Sequence, residues 1–217
     1  MNSTQQVPEL LYPIISKTLM DEDFFFIQIG SNDGKRGDPI YDYVIKYSWR
    51  GILIEPVPYL YEKLKNTYAG QEGLVFENIA IADKDGHKTF YRVEENDEPG
   101  NPFWYDQLGS FCKEVLLKHR AMVPNLEKHL ISEQIPCLSF NSLLKKCGVT
   151  KITLLHIDTE GYDYEIIKTV PFGLIKPYII LYEHKHLSRD DKQACVSLLT
   201  EQGYRTLELH SDTFAHL

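Results

Sequence analysis

Apolar runs of strand length alternate along the chain with stretches in which apolar residues recur at helical spacing. The runs end abruptly at glycine or at polar side chains, as buried strands do where they leave a sheet. Strands are predicted at residues 24–29, 51–55, 74–81, 152–158, 178–184, 205–209 and 213–217. Helices are predicted at residues 39–47, 60–68, 139–146, 162–169 and 189–202. This alternation is typical of an α/β fold in which helices cover both faces of a parallel sheet.

Three regions depart from the alternation. Residues 1–22 are predicted to form a leading helical segment, because their apolar side chains fall on roughly one helical face, although Pro13 disfavours an uninterrupted helix. Residues 88–93 are predicted to form a strand that runs antiparallel and departs from the parallel sheet. Residues 94–136 are polar and aromatic by turns, with one helix predicted around residues 111–120. We interpret residues 94–136 as an irregular cap over the site or a substrate-selecting insertion.

Composition limits the class of protein. With 217 residues, 43% of them hydrophobic, the chain is long enough for one substantial core, so residues 1–217 are predicted to be a single domain. The net charge of −8 argues against nucleic acid as a partner. Neither a membrane span nor a signal peptide is recognisable, which favours a cytoplasmic protein without membrane attachment. The 4 cysteines are too widely spaced for a zinc site or a disulfide framework.

The first strand ends in a turn that is suited to a polar ligand. Gly30 and Gly34 flank Ser31, Asn32 and Asp33 directly after the apolar run. Glycine permits positive φ angles and close approach of a ligand to the backbone, and free N–H groups at the start of a helix attract polar groups. We therefore expect a ligand at this turn.

Polar residues close the other predicted strands as well. In open α/β sheets ligands bind beyond the carboxyl ends of the strands, so these side chains should share one crevice. An acid at the end of the second strand, Glu55, is suited to accept hydrogen bonds from ribose hydroxyls, although strand-end acids are also commonly solvated or cap helices. The residues predicted to meet there are Glu55, Asn78, Asp158, Glu160, Glu183 and His184.

His156 and Asp158 are the first candidates for catalysis. They are two positions apart on a predicted strand, so both side chains point to the same side and can reach one substrate. A core histidine that bonds to the backbone is the alternative interpretation of His156. No metal is predicted, but a metal held by Asp158 with Glu183, His184 and His186 is a second interpretation of these side chains.

The turn also discriminates between nucleoside cofactors. A dinucleotide site requires glycine at positions 30, 32 and 35, whereas this chain has Asn32 and Lys35. The spacing of Gly30 and Gly34 is better matched to a cofactor without a pyrophosphate, such as S-adenosylmethionine. An NAD-dependent oxidoreductase is therefore a weaker interpretation.

The chain resembles the FkbM family of S-adenosylmethionine-dependent methyltransferases from residue 24 to the last strand. The motifs that carry the resemblance are IQIGSNDG at 27–34, IEP at 54–56, NIA at 78–80 and LHIDTEG at 155–161. The resemblance implies a Rossmann-like class I methyltransferase fold, with a mostly parallel seven-stranded sheet whose last strand is antiparallel. It also implies a set of cofactor-binding residues: Gln28, Gly30, Ser31, Asn32, Asp33, Gly34, Glu55, Pro56, Asn78, Ala80, Ser110 and Asp158.

These observations predict methyl transfer to a hydroxyl oxygen of a sugar, a glycan or a glycosylated or polyketide-like metabolite. Family members often have Lys in place of His156, so the resemblance does not identify the general base. His156 is the first candidate for this base and His184 the second. Asp158 is predicted to orient the substrate or the cofactor. The predicted acceptor-binding residues are Trp104, Phe111, His119, Glu160 and Glu183, and Phe103, Tyr105 and Arg120 are further candidates in the cap. A cofactor-binding module without catalysis is the main alternative.

Overall fold

The computed structural model describes residues 24–217. The strands are β1 Phe25–Ile29, β2 Arg50–Ile54, β3 Leu74–Glu77, β4 Ala80–Ala82, β5 Gly86–Val93, β6 Gly109–Ser110, β7 Leu130–Ser139, β8 Leu154–Ile157, β9 Ile179–Glu183, β10 Arg205–Glu208 and β11 Asp212–His216. The helices are α1 Tyr41–Tyr47, α2 Pro58–Thr67, α3 Lys113–Leu117, α4 Leu126–His129, α5 Phe140–Cys147, α6 Asp163–Thr169 and α7 Arg189–Glu201, with 3-10 turns at Tyr105–Gln107 and Lys118–Ala121. The leading helix expected at 1–22 lies outside the described residues, and the single-domain organisation of residues 1–217 stays a prediction.

Seven strands form the central sheet in the order β10-β11-β9-β8-β1-β2-β3. Strand β11 runs antiparallel to both of its neighbours, β9 and β10, and the other pairs are parallel. The predicted α/β fold, with a mostly parallel sheet and an antiparallel last strand, is confirmed. Because β11 begins beside the end of β9, the turn that precedes it lies at the carboxyl edge of the sheet, where the parallel strands end.

Helices cover both faces of this sheet. On one face, α5, α6 and α7 contribute Phe140, Ile166 and Leu199 to a cluster with the strand residues that point towards them. On the other face, α1 and α2 contribute Val44 and Leu64. Continuous burial of β1, β8 and β9 follows from this two-sided cover. No helix within residues 24–217 has the length and apolar character to cross a bilayer.

A second sheet, with the order β4-β7-β5-β6, corrects two predictions. The strand predicted at 74–81 divides at Asn78, whose side-chain amide donates to the carbonyl oxygens of Glu55 and Pro56. The irregular segment expected at 94–136 ends at residue 129, because residues 130–139 form β7 and pair along the whole of β5. Proline disfavours a strand, and Pro136 is therefore the reason why the sequence did not predict β7. Pro136 lies before the residues at which β4 pairs with β7, and its missing N–H is tolerated at that position.

The backbone of Gly30, directly after β1, lies against the backbone of Asp158, directly after β8. The φ angle of Gly30 is +82°, and a Cβ atom built on this residue would lie 1.8 Å from the carbonyl oxygen of Asp158. The N–H of Asp158 donates to the carbonyl oxygen of Ile29 at 2.9 Å, which continues the pairing of β1 and β8 past the last strand residue. Only glycine allows the turn after β1 to leave the sheet against the backbone of β8.

We predict that Gly30→Ala lowers the free energy of unfolding by more than about 3 kcal/mol, because the added methyl group meets a carbonyl oxygen that cannot move. Gly148→Ala is the matched control. Gly148 also has a positive φ angle, +64°, but no atom lies within 4 Å of the position that its Cβ atom would take, so this change should cost about 1 kcal/mol. Urea unfolding of both variants measures the difference. Equal losses would show that backbone strain alone, and not the contact with β8, determines the cost.

Candidate functional site

A narrow, mostly apolar crevice opens beyond the ends of β1 and β2. Gly30 and Asn32 lie at one side and Glu55 at its base. The carboxylate of Glu55 is only 3% exposed and is held by the backbone. Its Oε2 accepts the N–H of Asn32 at 2.8 Å and its Oε1 accepts the N–H of Val57 at 2.9 Å. Each oxygen keeps a lone pair for a ligand.

Apolar side chains form the walls of this crevice. Ile79 and Ala80 contribute from the segment around β4, and Phe90 from β5. The Phe111 ring packs edge-on against Phe90 and Tyr162, with ring centroids 5.4 and 4.8 Å away respectively. Phe111, a predicted acceptor-binding residue, thus lies in the crevice and does not line the larger cavity described next.

A larger cavity, of about 510 Å³, lies on the other side of the turn after β1. This volume is in the range of small-molecule sites. Charged and polar side chains dominate its lining: Asn32, Arg36, Gln107, His119, His156, Asp158, Glu160, Glu183, Lys185, His210, Ser211 and Asp212, with Trp104 and Met122 among the apolar members. The crevice and the cavity share Asn32, Gln107, Asp158 and Glu160 in their linings. The two spaces therefore meet at the carboxyl ends of β1 and β8.

Arg36 joins the turn after β1 to the cap. Its guanidinium makes two bonds of 2.9 Å to the carboxylate of Asp106, donates to the carbonyl oxygen of Phe103 at 2.7 Å and pairs with Asp33. Two parallel N–H bonds to one carboxylate fix both position and orientation. The 3-10 turn that carries Asp106 is thereby held over the cavity.

His156, on β8, lines the larger cavity, and one of its ring nitrogens contacts a neighbouring side chain. Its Nδ1 lies 3.1 Å from Nε2 of Gln28, and the same Gln28 nitrogen donates to Oδ2 of Asp38 at 3.1 Å. Because the carboxylate of Asp38 accepts, the amide nitrogen must face it, and Nδ1 of His156 therefore accepts as well. The proton of the neutral ring then lies on Nε2. Burial lowers the pKa of His156 to about 4 and keeps the ring neutral.

Three acids lie close together where the crevice meets the larger cavity. Oxygens of Asp158, Glu160 and Glu183 lie within 4.8 Å of one another. Burial, together with the neighbouring carboxylates, raises the pKa of Asp158 and that of Glu183 well above the ordinary values. Lys185 lies 3.6 Å from Glu183 and offsets part of this repulsion. Such a group of acids is costly to assemble, which is typical of functional sites.

The remaining predicted cofactor residues support the crevice without lining it. The Ser31 hydroxyl donates to the carbonyl oxygen of Gln28, and Oδ1 of Asp33 accepts the N–H groups of Lys35 and Arg36. The Ser110 hydroxyl donates to the carbonyl oxygen of Glu160 at 2.8 Å. The residues with such supporting positions are Gln28, Ser31, Asp33, Gly34, Asn78 and Ser110, whereas Gly30, Asn32, Glu55, Pro56, Ala80 and Asp158 line the crevice.

His184, the second candidate for a base, lies outside both the crevice and the larger cavity. Its Nδ1 lies 2.9 Å from the Thr213 hydroxyl, and it does not line either cavity. Alternation along β9 explains this, because Glu183 faces the cavity and the next side chain faces away. In the cap, the side chain of Phe103 is exposed and the Tyr105 hydroxyl bonds to the backbone of Asn96, so neither lines the cavity.

Several lining residues were missed by sequence reasoning. Lys185 follows the end of β9 by two positions, and this closeness to a strand end could have identified it as a lining residue. The turn at residues 209–211 reaches the site because β11 is antiparallel, which could have been inferred once the last strand was placed. Sequence periodicity does not identify Arg36 and Gln107, because the contacts that orient them join residues about 70 positions apart in the chain.

The chain belongs to the FkbM methyltransferase family. The family described as Methyltransferase FkbM domain matches residues 28–206, a range that runs from the end of β1 to the start of β10. No curated protein matches the sequence. The family assignment confirms the resemblance that the four motifs indicated.

One solved structure supports the fold, and two further methyltransferases show weaker similarity. Methyltransferase FkbM from Methylobacillus flagellatus superposes with a TM-score of 0.55 at 12% identity, over 89% of this chain and 43% of that one. The present chain thus spans less than half of that protein. Precorrin-6y C5,15-methyltransferase from Geobacter metallireducens gives 0.43 at 13% identity, over 95% and 86% of the two chains. The N-terminal domain of human METTL16 gives 0.48 at 9% identity, over 95% and 66%.

The carboxylate of Glu55 should make folding stability depend on pH. Burial raises its pKa from 4.5 to about 7 in the folded protein. Between these values the folded state holds a proton that the unfolded state has released, so the contribution of Glu55 is fully present below pH 4.5 and is lost as the pH rises through 7. We predict that the stability of the wild type relative to Glu55→Gln falls by about 2 to 3 kcal/mol across this window.

Urea unfolding at a series of pH values measures this difference. Glu98→Gln is the control, because hydrogen bonds from His129 and Lys128 lower the pKa of Glu98. Its contribution therefore has the opposite sign and is lost as the pH falls. If the difference in unfolding free energy between the wild type and Glu55→Gln does not change with pH, this result would contradict the buried, protonated state of Glu55.

Proposed function

We propose that this chain transfers a methyl group from S-adenosylmethionine to a hydroxyl oxygen of a sugar or a similar polyhydroxylated metabolite. One observation carries the proposal: an apolar crevice with a buried acid and a polar cavity of about 510 Å³ meet at Asn32, Gln107, Asp158 and Glu160. A donor in the first space and an acceptor in the second would face each other across these residues.

The crevice fits the chemistry of the donor. The free lone pairs of Glu55 suit two ribose hydroxyls, and the apolar walls formed by Ile79, Ala80 and Phe90 suit an adenine ring. Asp158 would lie towards the amino-acid end. When bound, the sulfonium supplies an electrophilic methyl group and a neutral leaving group.

A dinucleotide fits this turn less well. The N–H of Asn32 would have to bind a pyrophosphate oxygen, but it donates to Glu55 at 2.8 Å. A dinucleotide motif has glycine at this position so that the backbone can approach the pyrophosphate, whereas this chain has Asn32.

The larger cavity fits a polar acceptor. Its lining offers donors from Arg36 and Lys185 and acceptors from Asp158 and Glu183, and Trp104 provides a ring face against which a sugar can pack. The Trp104 ring lies 5.4 Å from His119, which restricts its orientation. Alternating donors and acceptors next to an aromatic face recognise a polyhydroxylated ring better than an apolar one.

Catalysis would depend mainly on alignment of the acceptor oxygen with the methyl carbon and the sulfur. Ideal positioning contributes up to roughly 7 to 11 kcal/mol. In the tautomer set by Gln28, His156 presents an N–H and would donate a hydrogen bond to the acceptor. The proton of the reacting hydroxyl would then pass to one of the carboxylates that line the same cavity.

Calorimetric titration tests the cofactor assignment. The chain should bind S-adenosylmethionine and S-adenosylhomocysteine but not NAD. Glu55→Ala should weaken S-adenosylhomocysteine binding about 30- to 100-fold, because two hydrogen bonds to the ribose hydroxyls are lost. Glu77→Ala is the matched control, since Glu77 ends the neighbouring strand β3, bonds to Lys146 and does not line the crevice. NAD binding without S-adenosylhomocysteine binding would overturn the proposal.

The role of His156 is tested by His156→Gln, whose amide can place an N–H near the position of Nε2 but cannot act as a base. Transfer of labelled methyl groups to a panel of sugars and glycosylated metabolites supplies the assay. If His156 donates, the turnover rate should fall by less than about 10-fold in His156→Gln, and KM should rise clearly in His156→Leu. A general base predicts instead a turnover rate lowered about 100-fold or more in His156→Gln, with KM unchanged. That result would rule out the donor role.

A further inference from the structure

Two histidines and a glutamate meet at one side of the larger cavity without a hydrogen bond among them. Ligand atoms of His119, Glu160 and His186 all lie within 4.8 Å of one another. They come from three separate segments: the 3-10 turn at Lys118–Ala121, the turn after β8 and the loop after β9. His119 is only 5% exposed and His186 only 9%. The fold therefore brings both imidazoles to Glu160 from different directions.

The polar atoms of this cluster lack well-directed hydrogen bonds within residues 24–217. Both ring nitrogens of His119 are buried without a hydrogen bond to any described group, and Nε2 of His186 and Oε2 of Glu160 meet only each other, as an ion pair at 2.9 Å without good hydrogen-bond geometry. Leaving a buried polar atom unpaired costs about 1 to 3 kcal/mol. A group bound between the three side chains would satisfy these atoms together.

One contact indicates what kind of group this is. Nε2 of His186 lies 2.9 Å from Oε2 of Glu160, without the direction of a hydrogen bond. Two ligands at right angles on a cation, each bound at about 2.1 Å, are separated by about 3 Å. The short, undirected contact is therefore the one expected of two atoms that face a common third atom.

The charge nearby also favours a cation. Asp158 and Glu183 form a second group with Glu160, again within 4.8 Å. Lys185 lies 3.6 Å from Glu183, but the pKa values of Asp158 and Glu183 stay raised because burial and the neighbouring acids disfavour further negative charge. A divalent cation beside Glu160 would relieve this repulsion.

We propose that His119, Glu160 and His186 bind a divalent transition-metal cation of the group Mn²⁺, Fe²⁺, Co²⁺ and Zn²⁺. Two imidazoles and one carboxylate suit these ions and leave coordination positions open. Magnesium and calcium prefer ligand sets made of oxygen and should bind more weakly. This site differs from the one that the sequence suggested, because His184 faces away and His119, from the cap, takes its place.

The role of the cation rests on the proposed methyl transfer. His119 and Glu160 line the acceptor cavity, so the open positions face the acceptor. A hydroxyl oxygen bound to the cation is more acidic and passes its proton to a carboxylate that lines the same cavity, such as Asp212. The oxygen lone pair then forms the bond to the methyl carbon, while the carbon–sulfur bond breaks and its electron pair stays on sulfur.

Metal titration of the full chain after treatment with a chelator tests the site. The wild type should bind one Co²⁺ per chain, seen as visible absorption bands, and one Mn²⁺ by calorimetry. His119→Ala and His186→Ala should each weaken Co²⁺ binding at least about 100-fold. His129→Ala is the matched control, because His129 also lies near a carboxylate, with Nε2 3.1 Å from Oε1 of Glu98, but outside the cavity. It should bind Co²⁺ like the wild type.

Binding of S-adenosylhomocysteine is measured on the same samples and reports whether each variant is folded. Absence of saturable Co²⁺ binding by the wild type would overturn the metal site, and so would unchanged affinity in folded His119→Ala and His186→Ala. Equal affinity for Mg²⁺ and Co²⁺ would overturn ligation by imidazole. Loss of S-adenosylhomocysteine binding with Co²⁺ binding intact would count against the methyl-transfer proposal and not against the metal site.

Discussion

The contact between the backbones of Gly30 and Asp158 determines the arrangement of the whole site. Because residue 30 has no side chain, the turn after β1 can lie directly against the end of β8, where its Cβ atom would otherwise be 1.8 Å from a carbonyl oxygen. Asn32 on one side and Asp158 with Glu160 on the other are thereby brought to the boundary between the crevice and the larger cavity. Any separation of β1 and β8 would move the two halves of the site apart together.

Stability is reduced where this boundary is charged. Glu55 is stabilised by two backbone N–H groups, and Asp33 and Asp106 by Arg36, whereas Asp158 and Glu183 are buried beside further acids. Groups with such unfavourable surroundings are retained only where many other contacts of the fold hold them in position. The burial of β1, β8 and β9 beneath helices on both faces of the sheet provides those contacts. The rigid sheet therefore holds in place a group of acids that would repel one another in a looser scaffold.

The sequence predicted the part of the site that lies on the sheet and missed much of the part that lies in the cap. The end of an apolar run identifies the end of a strand, and parallel strands end at one edge, so Gly30, Glu55 and Asp158 could be placed together from the sequence alone. The contacts of Arg36 with Asp106 and of His119 with His186 have no such rule. They join polar residues that are far apart in the chain, and neither periodicity nor turn chemistry predicts which polar side chains of an irregular segment will face inwards.

His156 shows why the identity and position of a residue did not settle its role. The sequence placed it correctly on β8 beside Asp158, and an isolated imidazole there would be a reasonable base. Its tautomer, however, is set by Gln28, and the orientation of that amide is set in turn by the carboxylate of Asp38, which accepts from the same nitrogen. An acid outside both cavities thus decides which histidine nitrogen carries the proton. Because the nitrogen left for the acceptor is an N–H, removal of a proton falls to the carboxylates across the cavity, and the histidine and the acids must act on the same hydroxyl from different sides.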